Sequence, residues 1–428
     1  MTTKAPRVQI HVAGVNHSTT PVEVRERLAV GTRQLSDALL LLSHYVSQGL
    51  ILSTCNRTEV YSVSDSGSST QPGNITFLET WSKTADADLS PYLYFYQDEA
   101  AVEHLFRVAA GLDSMIIGEF EILGQVKQSL EEAEKANMVE VPLRNLFHQA
   151  LQVGRLVREK TGISKNALSV SSVAVDLAAK AIGDLGSRKA LVIGTGEAGR
   201  LVAKALKERG ISQITTTSRS YETAAALAIA LGGSSVNIGN LGEELCACDI
   251  VISCTGAPHF VLDLRTVQDA MQARSGRPLV VIDIAVPRDV EPEVRQVDNL
   301  FLYDIDDLIH LSNLNRKQRQ TEMRRAMGIV KAEMKRFALW WRTTEVRPVI
   351  SSLVKKAEDI RRAQVDMTLK KLHDLCPEEQ ENLEAMTKAI VRKILHDPIQ
   401  HLKDNAHKRD DYVSLVNELF QLDKEDTE

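Results

Sequence analysis

Cys55 is the residue in this chain best placed to do covalent chemistry. It lies in Leu50-Ile51-Leu52-Ser53-Thr54-Cys55-Asn56-Arg57-Thr58-Glu59-Val60-Tyr61, between an apolar run ending at Ser53 and a second strand-like run beginning at Glu59. The connection is short and polar, with a hydroxyl, an amide and a guanidinium around the thiol. A thiol so placed is expected to be partly exposed, and Arg57 beside it should favour the thiolate, the reactive form. Taken alone, the same pattern also fits an ordinary half-buried cysteine. The balance shifts with Gly194-Thr195-Gly196-Glu197-Ala198-Gly199 further on, a dinucleotide-binding fingerprint. A nucleophilic sulfur and a hydride carrier in one chain point to reduction of a thioester.

The fingerprint stands in the context its chemistry needs. It follows the apolar run Ala190-Leu191-Val192-Ile193 and opens a helical pattern. Gly194 would allow the tight turn, Gly196 the approach of a pyrophosphate, and Gly199 close packing of helix on strand. The next strand, Gln213–Thr217, runs into Ser218-Arg219-Ser220. Hydroxyls and an arginine, where an NAD site would place an acid, suit a 2′-phosphate and therefore NADPH. Strands at Asp249–Ser253 and Leu279–Ile284 end in Cys254-Thr255-Gly256-Ala257-Pro258 and Asp283-Ile284-Ala285-Val286-Pro287-Arg288-Asp289, at the edge where doubly wound sheets bind ligands. A Rossmann domain is expected here.

A third candidate is Ala110–Lys127, where Gly111, Gly118 and Gly124 interrupt apolar sequence punctuated by Asp113, Ser114, Glu119, Glu121 and Gln125. Polar groups among glycines and apolar walls suit a small-molecule pocket. An irregular helix start accounts for the same residues. Arg144, His148, Arg155, Arg158 and Lys160 load the following helical stretch with basic groups, a solvated face or a phosphate-facing one.

The elements that must position these groups can be read in order. Val8–Val15 alternates like a strand, Thr20-Pro21 reads as N-cap and first helical residue, and Val22–Leu28 as a short helix. Thr32–Gln48 reads as a second helix with Leu35, Leu39, Leu42 and Tyr45 on one face, leading into the two strands around Cys55. This start suggests a small α/β domain with an antiparallel sheet. Residues 64–75 are low in complexity and read as a surface loop. Pro91–Tyr96 is a strand candidate, and Asp98 opens a helix carrying Ala101, His104, Leu105 and Val108. From Gln128 to Ala181 the pattern is helical, broken near Pro142 and Gly162.

Residues 305–342 read as one long helix with the stripe Met323, Met327, Val330, Met334, Phe337 and Trp341, close to the 3.5-residue period of helices packed along their length. Its segment Arg316–Arg336 carries eight basic and two acidic residues. Beyond the break at Pro348, Ile350–Leu375 and Pro377–His396 read as helices. Tyr412, Leu415, Val416, Leu419 and Phe420 form a final stripe before an acidic tail. Such a module suits oligomerisation, and its basic patches could meet RNA.

Composition sets the outer bounds. With 428 residues, 43% of them hydrophobic and 25% charged, several globular domains are expected. Apolar runs such as Ala38–Leu42 fall far short of a membrane span, and Met1–Arg7 carries no signal-peptide core. Five scattered cysteines, odd in number and without metal spacing, fit reduced thiols in a cytoplasm. A net charge of −6 leaves no global basic field, so any nucleic-acid contact must be local.

The chain resembles the glutamyl-tRNA reductases over nearly its whole length and in the same order. The resemblance is carried by Gly14–Val22 with Arg25-Glu26, by Ser53–Tyr61, by Gly111–Glu119 with Ile122–Lys127, by Asp283–Arg288, and by Leu395-His396-Asp397-Pro398. It implies NADPH-dependent reduction of glutamyl-tRNA to glutamate-1-semialdehyde, the first committed step of five-carbon tetrapyrrole synthesis, with no metal. Cys55 falls on the family's nucleophile and His104 on a histidine important for activity, either an acid or an orienting group. Thr54, Asn56, Arg57, Ser114, Glu119, Phe120, Glu121 and Gln125 fall on substrate positions, Arg57 being suited to the substrate carboxylate. The cofactor would be held by Gly194, Thr195, Gly196, Glu197, Ala198 and Gly199, with Ser218 and Arg219. Where the family usually reads Gly-Glu-Pro-Gln-Ile-Leu this chain has Gly118-Glu119-Phe120-Glu121-Ile122-Leu123, and an acid beside an anionic substrate suggests that Glu121 faces outward.

The fold expected is a multidomain α/β chain. An α+β catalytic domain spans 1–165, a Rossmann NADPH domain 166–310, and a long helix joins an all-helical dimerisation domain, 311–428. The partners implied are glutamyl-tRNA, a second copy of the chain and a glutamate-1-semialdehyde aminotransferase, in the cytoplasm and away from membranes. The other reading is an NADP-dependent dehydrogenase of shikimate or quinate type, which would need a lysine–aspartate pair and no cysteine.

Overall fold

The structure, a computed structural model, describes residues 8–65, 73–82, 88–164, 169–312, 320–372, 375–404 and 409–422. The chain forms two compact units, one running from Gln9 to Glu333 and the other comprising the helices from Met334 onward.

The first unit holds two sheets. The smaller is built from β1 (Val8–Asn16), β2 (Gln48–Ser53), β3 (Arg57–Asp65) and β4 (Tyr94–Gln97), in the order β2-β3-β1-β4. β2 pairs antiparallel with β3, and β1 antiparallel with β4, as the alternation suggested. Leu50, Ile51, Leu52, Val60 and Tyr61 are all buried, so β2 and β3 are covered on both faces. Gly14 is required where β1 crosses β3: a Cβ there would lie 2.5 Å from the Thr58 carbonyl oxygen.

Local expectations around this sheet hold with revisions. The short helix forms at Val22–Leu28, but its N-cap is Pro21, and the Thr20 hydroxyl donates instead to the Tyr92 carbonyl (3.2 Å). The second helix is confined to Leu35–Leu42, because Gln48 is already committed to the β3 ladder opposite Val63. Residues 66–72 of the low-complexity stretch lie outside the described residues. Gly73 opens the helix Gly73–Trp81, where a loop was expected to continue. The strand expected at Pro91 starts at Tyr94, and the helix after Asp98 runs Glu99–Ala109. The later helices are Glu121–Lys135, Val141–Lys160 and Val170–Ile182, with Pro142 in the first turn of its helix.

The larger sheet contains β5 (Lys189–Ile193), β6 (Gln213–Thr217), β7 (Ser234–Ser235), β8 (Ile250–Ser253), β9 (Leu279–Asp283) and β10 (Leu300–Tyr303). All five pairings are parallel and the order is β10-β9-β8-β5-β6-β7. The two-residue period of a strand divides its apolar side chains between two cores. Ala190, Val192, Ile250, Ile252, Val280 and Ile282 join one, and Leu191, Ile193, Val251, Leu279 and Val281 the other. The first core continues into the smaller domain through Val22, Met115 and Ile116, so the two domains share apolar packing. Strand order reverses between β5 and β8, which opens the ligand crevice of such sheets.

The long helix expected over 305–342 is two helices in the described residues, Ile305–Ser312 and Gln320–Glu345; positions 313–319 lie outside them. Ala326, Val330, Met334 and Phe337 are buried along the second. In the second unit, Arg347–Lys371 begins with Pro348 in its first turn, followed by Pro377–Asp404 and Arg409–Phe420. Among the described residues no helix is long and apolar enough to cross a membrane.

Candidate active site

Cys55 sits at the tip of the β2–β3 hairpin. Thr54 shapes the turn: its Oγ1 accepts from the N–H groups of Asn56 (3.1 Å) and Arg57 (3.2 Å), and its own N–H donates to the Arg57 carbonyl (2.8 Å). From neighbouring elements, the His17 N–H donates to the Asn56 carbonyl (2.9 Å) and Arg25 Nη1 to the Cys55 carbonyl (2.7 Å). Cys55 therefore rides on a turn whose Cys55–Asn56 and Asn56–Arg57 peptides are both held by hydrogen bonds. Cys55 is half-buried, as expected, and packs on the core shared by the two domains. Asn56 is buried with its Oδ1 unpartnered, which leaves an acceptor available to a ligand.

The thiol is not activated as the sequence suggested. Burial pushes it up to about 12; the Glu119 and Glu121 carboxylates add to that, and only Arg25 opposes them among side chains. Arg57 is not among the main influences on the thiol, because it points elsewhere. It is 1% exposed, with Nη1 donating to Glu59 Oε1 (2.6 Å) and Nη2 to the Asp113 carbonyl (2.6 Å). Both arms of the fork expected to grip a substrate carboxylate are thus used within the chain. Nε remains buried without a partner.

Glu59 is the hub of this region, and the sequence reading did not single it out. Fully buried, its carboxylate accepts from Arg57, from Tyr94 OH (2.5 Å) and from His104 Nε2 (2.8 Å) on one oxygen, and from Tyr61 OH (2.6 Å) on the other. Burial opposes its ionisation, but His104, Arg57 and Tyr61 outweigh that and hold the carboxyl well below the usual range. The signal was present in spacing: Arg57, Glu59 and Tyr61 are alternate residues of one strand and share a face. His104, on a buried helix face, therefore has one ring nitrogen committed to Glu59. Its Nδ1 lies 3.9 Å from Asp113, which Arg107 also engages (2.7 Å).

The glycine-rich stretch forms an irregular loop before the helix Glu121–Lys135. Gly118 has φ +82°, and a Cβ there would meet the Ile163 carbonyl oxygen at 2.2 Å, so no other residue fits. Ser114 and Glu119 are buried. Burial raises the Glu119 carboxyl, opposed by Ser114, Arg57 and Arg158. Glu121 does not face outward. It is half-buried, and burial together with Glu119 and Glu197 pushes it up to about 7. Gln125, one turn on, is half-buried. Phe120 is set apart from these groups: it is 61% exposed, with the Arg158 guanidinium 5.6 Å from its ring centroid. Its backbone points the ring to solvent while Glu119 turns inward.

The nucleotide site assembles at the β5–β8 crevice. Gly194 has φ +112° and Gly199 packs against its carbonyl, where a Cβ would approach to 2.1 Å; both are glycine for reasons internal to the fold. Gly196 is different. Its φ is −67°, and a Cβ would meet nothing within 4 Å. The chain itself does not need glycine there, whereas a phosphate approaching the N-terminus of the helix Glu197–Glu208 does. The residues fit a dinucleotide on that ground. Thr195 bonds Thr223 (3.0 Å), which also bonds Ser218 (2.9 Å), linking the β5 and β6 loops. Glu197 is exposed and Ala198 half-buried at the start of the helix, and Arg219 is exposed at the end of β6.

Comparisons with known proteins agree along the chain. Family models match in three places: Glutamyl-tRNAGlu reductase, N-terminal domain, over residues 13–161; Shikimate / quinate 5-dehydrogenase over 176–311; and Glutamyl-tRNAGlu reductase, dimerisation domain, over 325–422. The glutamyl-tRNA reductase of Natranaerobius thermophilus is 41% identical over 420 residues, covering 97% of this chain and 92% of that protein. That of Bacillus subtilis is 38% identical over 421 residues, covering 97% and 92%. Among solved structures, glutamyl-tRNA reductase from Methanopyrus kandleri is 29% identical, covers 96% of this chain and 99% of its own, and has a TM-score of 0.48.

Proposed function

Because this chain belongs to the glutamyl-tRNA reductase family, we propose that it reduces glutamyl-tRNA to glutamate-1-semialdehyde with NADPH, through a thioester on Cys55. The observation that carries the reading is the fixed Thr54-Cys55-Asn56 turn within one compact unit that also holds a dinucleotide crevice. The shikimate-type match is confined to the nucleotide-binding stretch and does not stand as an alternative activity.

Cys55 Sγ attacks the aminoacyl carbonyl carbon, and the ester bond to the ribose breaks, releasing tRNA with the proton on its hydroxyl. NADPH, when bound, would supply the hydride that turns the thioester into a hemithioacetal on Cys55, whose collapse returns the thiol and frees the aldehyde. A thioester accepts that hydride where a free carboxylate would not. Arg57, Glu59 and His104 serve as positioning residues behind the turn, and Ser114, Glu119 and Gln125 as substrate positions beside it. Gly194–Gly199 would hold the pyrophosphate, and Ser218 with Arg219 a 2′-phosphate. The catalytic half is assigned to 1–165, the NADPH half to 166–310 and the dimerising helices to 311–428. A homodimer is supported by the dimerisation-domain match, and the proposed recipient of the aldehyde is a glutamate-1-semialdehyde aminotransferase in the cytoplasm.

One assay tests the whole reading. Wild-type chain with charged glutamyl-tRNA should yield aldehyde with NADPH in preference to NADH, and no aldehyde from free glutamate. Cys55→Ser should bind NADPH normally yet form neither a labelled glutamyl adduct nor product. Appreciable turnover by that variant would end the thioester scheme.

A further inference from the structure

Arg25 is buried, at 2% exposure, on the helix Val22–Leu28 beneath the Cys55 turn. Its three nitrogens serve three different segments. Nε donates to the Thr20 carbonyl (3.1 Å), Nη1 to the Cys55 carbonyl (2.7 Å) and Nη2 to Asp306. Asp306 belongs to the helix Ile305–Ser312, which follows β10 of the nucleotide-binding half. Its second oxygen accepts from the Val22 N–H (3.0 Å), the first residue of Arg25's own helix. The contact is backed by apolar packing, since Val22, Ile305 and Leu308 belong to the core that Cys55 also touches. A second strap joins the same two halves, where Arg288 pairs with Glu26 (2.9 Å) and Glu23 (3.0 Å), but it has no bond to the Cys55 turn.

We propose that Arg25 is a positioning residue that couples the Cys55 turn, through Asp306, to docking of the nucleotide-binding half. A planar fork suits this role because it can hold a carbonyl and a carboxylate at once in fixed directions, which an ammonium cannot. Docking then does two things to the thiol. It buries the sulfur against the shared core, and it places the Asp306 carboxylate where it offsets the Arg25 cation beside Cys55. The charged groups facing the thiol are Arg25, Glu119 and Glu121, and those facing Asp306 are Arg25, Asp304 and Glu23. With the halves docked the thiol is held quiet. With Asp306 withdrawn, Arg25 acts without its counter-ion on a better-solvated sulfur, and both changes favour the thiolate. Acylation of Cys55 is thereby assigned to the undocked arrangement and hydride delivery to the docked one.

The test is iodoacetamide labelling of Cys55 in the full chain, followed by peptide mass mapping from pH 6 to 10. Its result is independent of the enzymatic reading, on which only the turnover arm rests. Asp306→Asn should label Cys55 about tenfold faster at pH 7.5, equivalent to a midpoint roughly one pH unit lower. Cys248 and Cys254, buried in the nucleotide-binding half, should keep wild-type rates and report an intact fold. Turnover on glutamyl-tRNA should fall about tenfold in kcat with nucleotide affinity unchanged, and Asp306→Glu should recover part of both effects. Wild-type labelling of Cys55 in Asp306→Asn overturns the proposal whatever the turnover. If all three cysteines accelerate together, hydrogen exchange on the wild-type chain decides. Residues 53–58 and 305–308 must then open with one common free energy, and separate openings overturn the coupling.

Discussion

At the residue scale, Cys55 and the cation that favours its thiolate are not the pair that adjacency suggests. Arg57 is two residues from Cys55 yet spends its charge on Glu59, while the cation that acts on the thiol, Arg25, is 30 residues away. Two carboxylates press the other way, and Glu121 is the adjustable one, since its own proton is held up to about 7. The sign follows directly. Above pH 7 Glu121 is anionic and disfavours the thiolate; below it the group is neutral and the restraint is lost. Glu121→Gln should therefore raise the labelling rate of Cys55 at pH 8 several-fold, with little effect at pH 5.5. Equal ratios of variant to wild-type rate at the two pH values would remove Glu121 from this role.

At the scale of elements, two buried carboxylate systems hold the loops that carry the site. Glu59 in β3 binds Arg57, Tyr61, Tyr94 and His104. Glu59→Gln would leave the Arg57 guanidinium buried without its anion, a loss of about 3–5 kcal/mol for a broken buried pair. The folded-state proton affinity of Glu59 is depressed, so its contribution is present above the unfolded carboxyl range and is lost as pH falls through it. Urea unfolding should show the gap between wild type and variant narrowing from pH 6 toward pH 3.

The second system closes the β9 loop. Asp283 accepts from the N–H groups of Ala285, Asp289 and Val290, while Asp289 accepts from Ser253 and Thr255. Burial pushes both carboxyls up, and repulsion from Asp289 helps carry Asp283 to about 8, so the pair retains a proton into neutral pH. Here the folded state binds the proton more tightly than the unfolded one, so stability declines as pH rises from the ordinary carboxyl range to about 8. Asp289→Asn, whose amide nitrogen can donate to the Thr255 hydroxyl while its oxygen still accepts from Ser253, should flatten that decline in thermal melts. An unchanged slope would show that the pair does not share a proton.

For the whole molecule, the second unit presents apolar side chains that remain exposed among the described residues. Ile390, Ile394, Leu415 and Leu419 are 49%, 66%, 46% and 67% exposed on helices with few apolar partners of their own. Helices of this kind bury such faces against a second copy, most economically with two-fold symmetry. Light scattering at micromolar concentration should give twice the chain mass. Removal of residues 349–428 should give a monomer that still binds NADPH but reduces glutamyl-tRNA poorly. A full-length chain that stays monomeric rules the dimer out.

Sequence alone determined what depends on local period and local stereochemistry. Val22–Leu28, the β2–β3 hairpin, the strand–glycine–helix passage at Ile193–Glu197 and the breaks at Pro142 and Pro348 were legible because each is written within one or two turns of chain. The Thr54-Cys55-Asn56-Arg57 motif, read together with the glycine fingerprint and the other motifs in their order, was likewise enough to point to the family. Tertiary structure decided the rest, and it did so through partners and burial. Thr20 gave up its cap for a carbonyl 72 residues away, and the helix after Thr32 stopped early because a distant strand claimed Gln48. Arg57 found the Asp113 carbonyl across 56 residues, and Arg25 reached Asp306 across 281. A charge in the sequence carries no record of which opposite charge will lie beside it, or of how much water will remain. Those two quantities set the protonation state of Cys55, and the folded chain alone supplies them.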